Sequence, residues 1–295
     1  MSKLHKNLSA LARRAEGSFK TIADRMKIAH RFADRLLVLN IQIRDMRHVK
    51  TSYIRQYIRS RQEENIASRT LQNEMSVIRS LLKLAGKTAM ADPTHPVLNN
   101  RALGIAGASR EGTKVAIPEM VYQQALQQVF IKNEGAGCVM ALSRLLGLRA
   151  EEAVQSAKSL QTWQRALIRG ESKIRVVFGT KGGRPRDTTV LKPAETLRAI
   201  ESALACVARQ NGKLIDKPAL HLAIEQYRNV VRDAGLTGKH SPHSLRYAWA
   251  MDAIQHYRQQ GFSEKEALAM VSMDLGHGDG RGYYVARVYN KVDVE

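Results

Sequence analysis

The chain has 295 residues, of which 44% are hydrophobic, only two cysteines and a formal net charge of +20, which excludes a disordered basic tail and a disulfide scaffold. It has no apolar run long enough for a bilayer, and its opening, MSKLHKNLSALARR, lacks the apolar centre of a secretion signal; a cytoplasmic protein is expected, with Cys138 and Cys206 as buried free thiols. A surplus this basic calls for a polyanion, and without a lipid anchor or a strongly amphipathic basic helix that polyanion is nucleic acid rather than a membrane surface.

Residues 16–39 carry Phe19, Ile22, Met26, Ile28, Phe32, Leu36 and Leu37 at helical spacing. Residues 50–62 repeat the pattern with Tyr53, Ile54, Tyr57 and Ile58. A further helix is expected from Ser68 to Leu84, through Leu71, Met75, Ile78, Leu81 and Leu82, with Gly86 as its stop. The spacing predicts a small all-helical unit over residues 1–86. Residues 1–115 hold 22 Lys and Arg against 9 Asp and Glu, so the denser positive charge lies in this half. Lys50, Arg55, Arg59, Arg61, Arg69, Arg79 and Lys83 recur along two of the helices, as a phosphate-facing surface would require.

Residues 87–116 change character, with Pro93, Pro96 and scattered Gly, Asn and Ser, and read as a linker. A second domain is expected over residues 117–295. Pro118 suits the start of a helix running to about Ile131. Residues 137–147 and 150–158 are helix candidates. Two β-branched runs, 173–179 and 187–191, flank Lys181-Gly182-Gly183-Arg184 and predict a hairpin with basic residues at its tip. Helical patterns return at 194–210, 218–234, 243–260, 263–274 and 281–290. The fold class is therefore mainly α (α+β), a helical N-terminal domain followed by a mostly helical domain with one small antiparallel hairpin.

Several side chains of the second domain could carry chemistry. In SPHSLRYAWA, His243 and Arg246 are three apart, so one anion could meet both an imidazole and a guanidinium fork. In LLGLRAEE, Arg149 follows a glycine break, and Glu152 stands where it could orient the guanidinium. Lys181 on the hairpin tip could reach a phosphate or protonate a leaving oxygen. GTKGG lacks the Gly-Lys-Ser/Thr ending of a phosphate-cradling loop and enters a strand, so that reading fails. His277 follows a helix ending near Leu275. His240, His243 and His277 lack cysteine or carboxylate partners at ligand spacing, so no metal and no cofactor are expected. Taken singly, each feature is also what a capped helix, a surface ion pair or a solvated turn would show. Together, two arginines can neutralise a pentavalent phosphate, Lys and His can move protons, and a tyrosine can attack phosphorus to form a covalent ester.

The ordered boxes resemble those of the tyrosine recombinases, the phage-integrase family, over nearly the whole chain. GLRAEE is similar to the first arginine box, TKGGRPR to the hairpin lysine motif, PHSLRYAWA to the His-x-x-Arg box, and LGH to the last box before the nucleophile. The resemblance implies a helical core-binding domain and a catalytic domain that clamp duplex DNA. It also implies cleavage through a 3′-phosphotyrosine, with Arg149 and Arg246 on the non-bridging oxygens. Lys181 would be the acid for the 5′-oxygen, and His243 and His277 would assist proton transfer. Three tyrosines follow His277: Tyr283, Tyr284 and Tyr289. ARVYNK is similar to the family's apolar-Tyr ending, and Gly280 and Gly282 extend the preceding loop, so Tyr289 is taken as the nucleophile although its distance from His277 exceeds the family's usual gap. The family acts as homotetramers on two DNA sites, and accessory DNA-bending proteins are expected among its partners. Only six residues follow Tyr289, fewer than a tail exchanged between subunits would need. Two other readings are a type IB topoisomerase, which uses a similar residue set, and a catalytically inactive DNA-binding protein.

Overall fold

The computed structural model describes residues 2–109 and 111–290, and the chain divides into two compact units, Met1–Arg110 and Glu111–Glu295. Among the described residues no helix is long and apolar enough to cross a membrane.

The first unit is helical: α1 (Lys3–Arg14), α2 (Phe19–Val38), α3 (Thr51–Glu63), α4 (Ser68–Leu84) and the short α5 (Thr88–Ala91). Helix α1, which the apolar pattern from residue 16 onward does not include, is capped by the Ser2 hydroxyl on the His5 amide and buries Leu4, Leu8 and Leu11. Helix α2 buries Ala29, Phe32, Ala33 and Leu36, whereas Phe19 is 95% exposed and Leu37 is also exposed. At roughly 100° per residue, Leu37 lies about a third of a turn off the face centred on Phe32 and Leu36, and two alanines complete that face instead. The core joins Phe32, Leu36, Tyr57, Met75 and Ile78 to Leu98, Leu103 and Ile105. Residues 98–105 therefore pack on the helices despite their irregular sequence. Buried Glu74 accepts hydrogen bonds from the Tyr57 hydroxyl at 2.7 Å, Arg31 at 2.7 Å and Arg61 at 3.0 Å. Arg79 donates to Leu98 O and Asn100 Oδ1.

The second unit contains α6 (Glu119–Lys132), α7 (Glu134–Leu146), α8 (Ala150–Val154), α9 (Leu160–Ile168), β1 (Lys173–Val176), β2 (Arg186–Thr189), α10 (Pro193–Arg209), α11 (Leu220–Asp233), α12 (Ser244–Gln259), α13 (Glu264–Asp274) and α14 (Gly282–Val288). Among the described residues the fold is mainly helical with one two-stranded antiparallel sheet, in the register Lys173↔Thr189 to Val176↔Arg186. Its strands are shorter than the β-branched runs suggest, because pairing stops at Val176 and the chain then leaves for the glycine turn. Helix α9 escapes the periodicity reading; Trp163 buries its ring and ties α9 to β1 through Nε1 to Arg175 O at 2.8 Å. One core gathers α7, α9, α10, α11 and the sheet around residues such as Met140, Leu142, Trp163 and Tyr227. A second packs α12, α13 and α14 through Trp249, Ala253, Val271, Leu275, Val285 and Tyr289.

Candidate active site

Helix α7 ends at Gly147 in the left-handed region, φ 60°, where a Cβ would stand 2.6 Å from Trp249. That tight ending turns the chain at once into α8, whose N-cap is Arg149. Glu152, in the first turn, reaches back: its carboxylate accepts from the Arg149 backbone N–H at 2.9 Å and from Arg149 Nη1 at 2.6 Å. Arg246, in the first turn of α12, is fully buried. Its guanidinium donates to Gly147 O and Leu275 O and lies 3.8 Å from Glu152. Arg149 Nη2 reaches the same Leu275 O at 3.2 Å. Leu275 caps α13 and Gly147 caps α7, so carbonyls left without intrahelical donors at two helix C-termini, the negative ends of their dipoles, hold the two arginines.

A third arginine joins them. Arg186, inward-facing on β2, donates to Glu152 Oε2 at 2.8 Å. Three guanidiniums thus share one carboxylate, which leaves an excess of positive charge in a nearly dry setting. Burial alone would raise the Glu152 carboxyl; Arg186, Arg246 and Arg149 outweigh it and hold it at about 2. Burial, and then Arg186, push Arg246 down to about 10. Arg246 Nε is buried with no hydrogen-bond partner, a donor that an incoming anion could satisfy.

His277 follows two residues after Leu275, and its Nε2 lies 3.1 Å from the Tyr289 hydroxyl. Tyr289 is 3% exposed at the end of α14, with its ring 4.5 Å from that of Tyr247, 5.5 Å from His277 and 6.3 Å from His243. Burial and then Arg246 and Arg149 push His277 down to about 3. His243, the N-cap of α12, keeps an exposed edge, but protein packed behind the ring and then the same two arginines push it down to about 4. Both imidazoles are neutral at neutral pH. Tyr284 sets its ring edge against His277 at 5.0 Å. Tyr283 is 76% exposed beneath the Arg287 guanidinium.

Of the residues singled out from the sequence, Arg149, Arg246, His277 and Tyr289 lie in one chain of contacts, with His243 at its edge. Lys181 does not join it: the side chain is exposed on the hairpin turn, and among the described residues no hydrogen bond or ion pair involves it. Arg186 belongs to the hairpin motif TKGGRPR, yet the sequence gives it no role there. Its signal is the two-residue alternation, which sets it on the inward face with Thr188, where an arginine must find a carboxylate. Beside Arg149 and His243 opens a cleft of about 620 Å³, also lined by Tyr227, Arg228 and Arg232 of α11. Among the described residues no cluster of three or more His, Cys, Asp or Glu could hold a metal ion.

Residues 1–91 match the family model described as phage integrase, N-terminal, and residues 104–252 match the one described as integrase. No protein of curated function matches by sequence. Among solved structures, the chain is similar to the Tn1549 transposon integrase in complex with transposon right-end DNA (14% identity, TM-score 0.62, covering 99% of this chain and 96% of that one). It is also similar to a lambda integrase dimer bound to a COC′ core site (16%, 0.60, 99% and 79%) and to lambda integrase bound to DNA (15%, 0.57, 100% of both chains). At such identities the likeness is one of fold.

Proposed function

The chain belongs to the integrase family of tyrosine recombinases, and we propose that it breaks and rejoins duplex DNA through a 3′-phosphotyrosine with Tyr289 as nucleophile. The observation that carries this reading is the hydrogen bond of Tyr289 to a neutral His277, beside three guanidiniums that outnumber their carboxylate. The scissile phosphate settles against Arg149 and Arg246, whose positive charge grows more valuable as phosphorus becomes five-coordinate. Tyr289 Oη forms a bond to phosphorus, the bond from phosphorus to the 5′-oxygen breaks, and Lys181 supplies the proton to that oxygen. His277 accepts the tyrosine proton. Burial holds its basicity down first and the arginines second; the bound phosphate neutralises the arginines, so the imidazole recovers that second part of its basicity once substrate is in place.

The ester keeps the energy of the broken bond, so a 5′-hydroxyl from a partner strand can reverse the step. One of the similar structures is a lambda integrase tetramer bound to a Holliday junction. We infer the same for this chain: four copies on two duplex sites, with DNA-bending proteins as accessory partners.

The test uses nicked duplexes made from the DNA flanking the chain's own gene, with the covalent adduct read on a denaturing gel and located by trypsin and mass spectrometry. Trypsin separates Gly282–Arg287, which holds Tyr283 and Tyr284, from Val288–Lys291, which holds Tyr289. A modified Val288–Lys291 peptide, lost in Tyr289→Phe with duplex binding retained, is the expected result. Modification of Gly282–Arg287 moves the nucleophile. Absence of any adduct across many sites favours a protein that only binds DNA.

A further inference from the structure

Arg186 has no part in the steps above, yet its guanidinium is the most heavily bonded cation of the site. It is 6% exposed. Nη2 donates to Glu152 Oε2 at 2.8 Å and to Gly147 O at 3.3 Å, Nε donates to Glu152 Oε1 at 3.4 Å, and Nη1 donates to Asp274 O. One strand residue is thereby tied to α8 and to the C-terminal ends of α7 and α13. Arg186 is also the last paired residue of the hairpin on its side of the turn, opposite Val176.

The other leg is fixed by contact rather than charge. Gly179 has φ +74°, and a Cβ there would lie 2.5 Å from Glu151 O and 2.8 Å from Glu152 N, so backbone rests on backbone. Both legs therefore close on the same first turn of α8. Lys181 stands between the two anchors, two residues after Gly179 and five before Arg186. The turn itself supplies little stiffness: Gly182 and Gly183 have φ of 71° and 69° and no side chains to pack. Where the ammonium group can reach is set by the anchors, and the Arg186–Glu152 pair is the one that also touches the arginine cradle.

Resting on the reading of Lys181 as the acid for the leaving oxygen, we propose that Arg186 is a positioning residue for proton delivery. By clamping the hairpin to Glu152 it holds Lys181 within reach of the 5′-oxygen. The competing account is that Arg186 serves the cradle alone, keeping Glu152, Arg149 and Arg246 in place. The two differ in one chemical respect. With sulfur in place of the bridging 5′-oxygen, the same attack by Tyr289 breaks a phosphorus–sulfur bond and releases a thiolate. A thiol, at about 8.5 for cysteine, is far more acidic than an alcohol, so this leaving group departs without a proton. A defect in proton delivery then disappears, whereas a defect in the cradle persists.

The experiment measures single-turnover cleavage by the wild type, Arg186→Gln, Arg186→Lys and Lys181→Ala on matched nicked duplexes with oxygen or sulfur at that position. Melting temperature and duplex affinity are read for each variant, and Arg186→Lys, which keeps a cation opposite Glu152, serves if the glutamine variant does not fold. On the oxygen duplex, Arg186→Gln should lose roughly 10- to 100-fold and Arg186→Lys less. On the sulfur duplex both should return close to the wild-type rate, in parallel with Lys181→Ala. Rescue of Lys181→Ala without rescue of the Arg186 variants overturns the proposal and assigns Arg186 to the cradle. Wild-type rates for both Arg186 variants on the oxygen duplex overturn it as well. Failure of sulfur to rescue Lys181→Ala overturns the reading of Lys181, and this proposal with it.

Discussion

Glu152 shows how a single residue sets the character of the site. A buried carboxylate facing three guanidiniums stays ionised far into acid, and the two imidazoles beyond those guanidiniums stay neutral. The pH dependence of folding follows. His277 and His243 have folded values of about 3 and about 4, below the unfolded 6.5, so between those limits the unfolded chain binds more protons. Their contribution is present above pH 6.5 and is lost as pH falls towards the folded values; His243, with its exposed edge, contributes the lesser part. Glu152 has the same sign in a lower window, from 4.5 down to about 2. Melting temperature should therefore fall on acidification from pH 7 to 5, and His277→Gln should flatten that fall. An unchanged profile in the variant would remove His277 as its source. Residue types at the site were legible in the sequence because each sits in a short box. Arg186 was not, since an arginine beside two other basic residues on a hairpin reads as solvated until the strand's inward face is known.

At the scale of elements, helix endings do much of the positioning. Gly147 O and Leu275 O are free to bind arginines because each closes a helix, and Gly147 can do so only in a conformation that a side chain resists. Gly147→Ala adds a strained backbone and a Cβ in the face of Trp249, and should cost about 2–4 kcal/mol. The check is a lowered urea midpoint at constant m-value, together with slowed DNA cleavage. A variant as stable as the wild type would mean that Trp249 yields freely. Pattern and breakers predicted most of these elements, since α4, α10 and α11 carry clear stripes, α13 opens on a Ser263–Glu266 capping box, and Pro118 and Pro242 stand at the starts of α6 and α12. Helix α9 does carry a stripe, Leu160, Trp163 and Ala166 at three-residue spacing, but over only nine residues; the packed segment 98–105 has none and buries itself through tertiary contacts rather than through period.

Across the whole molecule, the net charge of +20 divides into charge that faces outward and charge that is structural. Arg61 and Arg79, part of the basic series along α3 and α4, are consumed by Glu74 and by Leu98 O and Asn100. Lys50, Arg55, Arg59, Arg69 and Lys83 are exposed. Replacing Arg55, Arg69 or Lys83 by Ala should weaken duplex binding across sequences and reduce the slope of log K against log salt by roughly one for each phosphate no longer neutralised. Arg61→Ala should instead lower stability, because it removes a partner of buried Glu74. Binding titrations at several salt concentrations separate the two classes. An unchanged slope for all three exposed residues would place the DNA elsewhere.

The sequence by itself determined the chemistry available to this protein: a basic, helix-rich chain with an ordered series of arginine, lysine, histidine and tyrosine boxes. Charge, helical period and short motifs are local properties, and local properties can be read from the order of residues. Only the tertiary structure decided which tyrosine meets His277 and which arginines share Glu152, as well as which cations of the first unit are left for solvent. Apart from the local Arg149–Glu152 pair, those outcomes depend on contacts between residues 12 to 126 positions apart, made wherever a helix end or a strand face offers an unpaired polar group that burial forces into partnership.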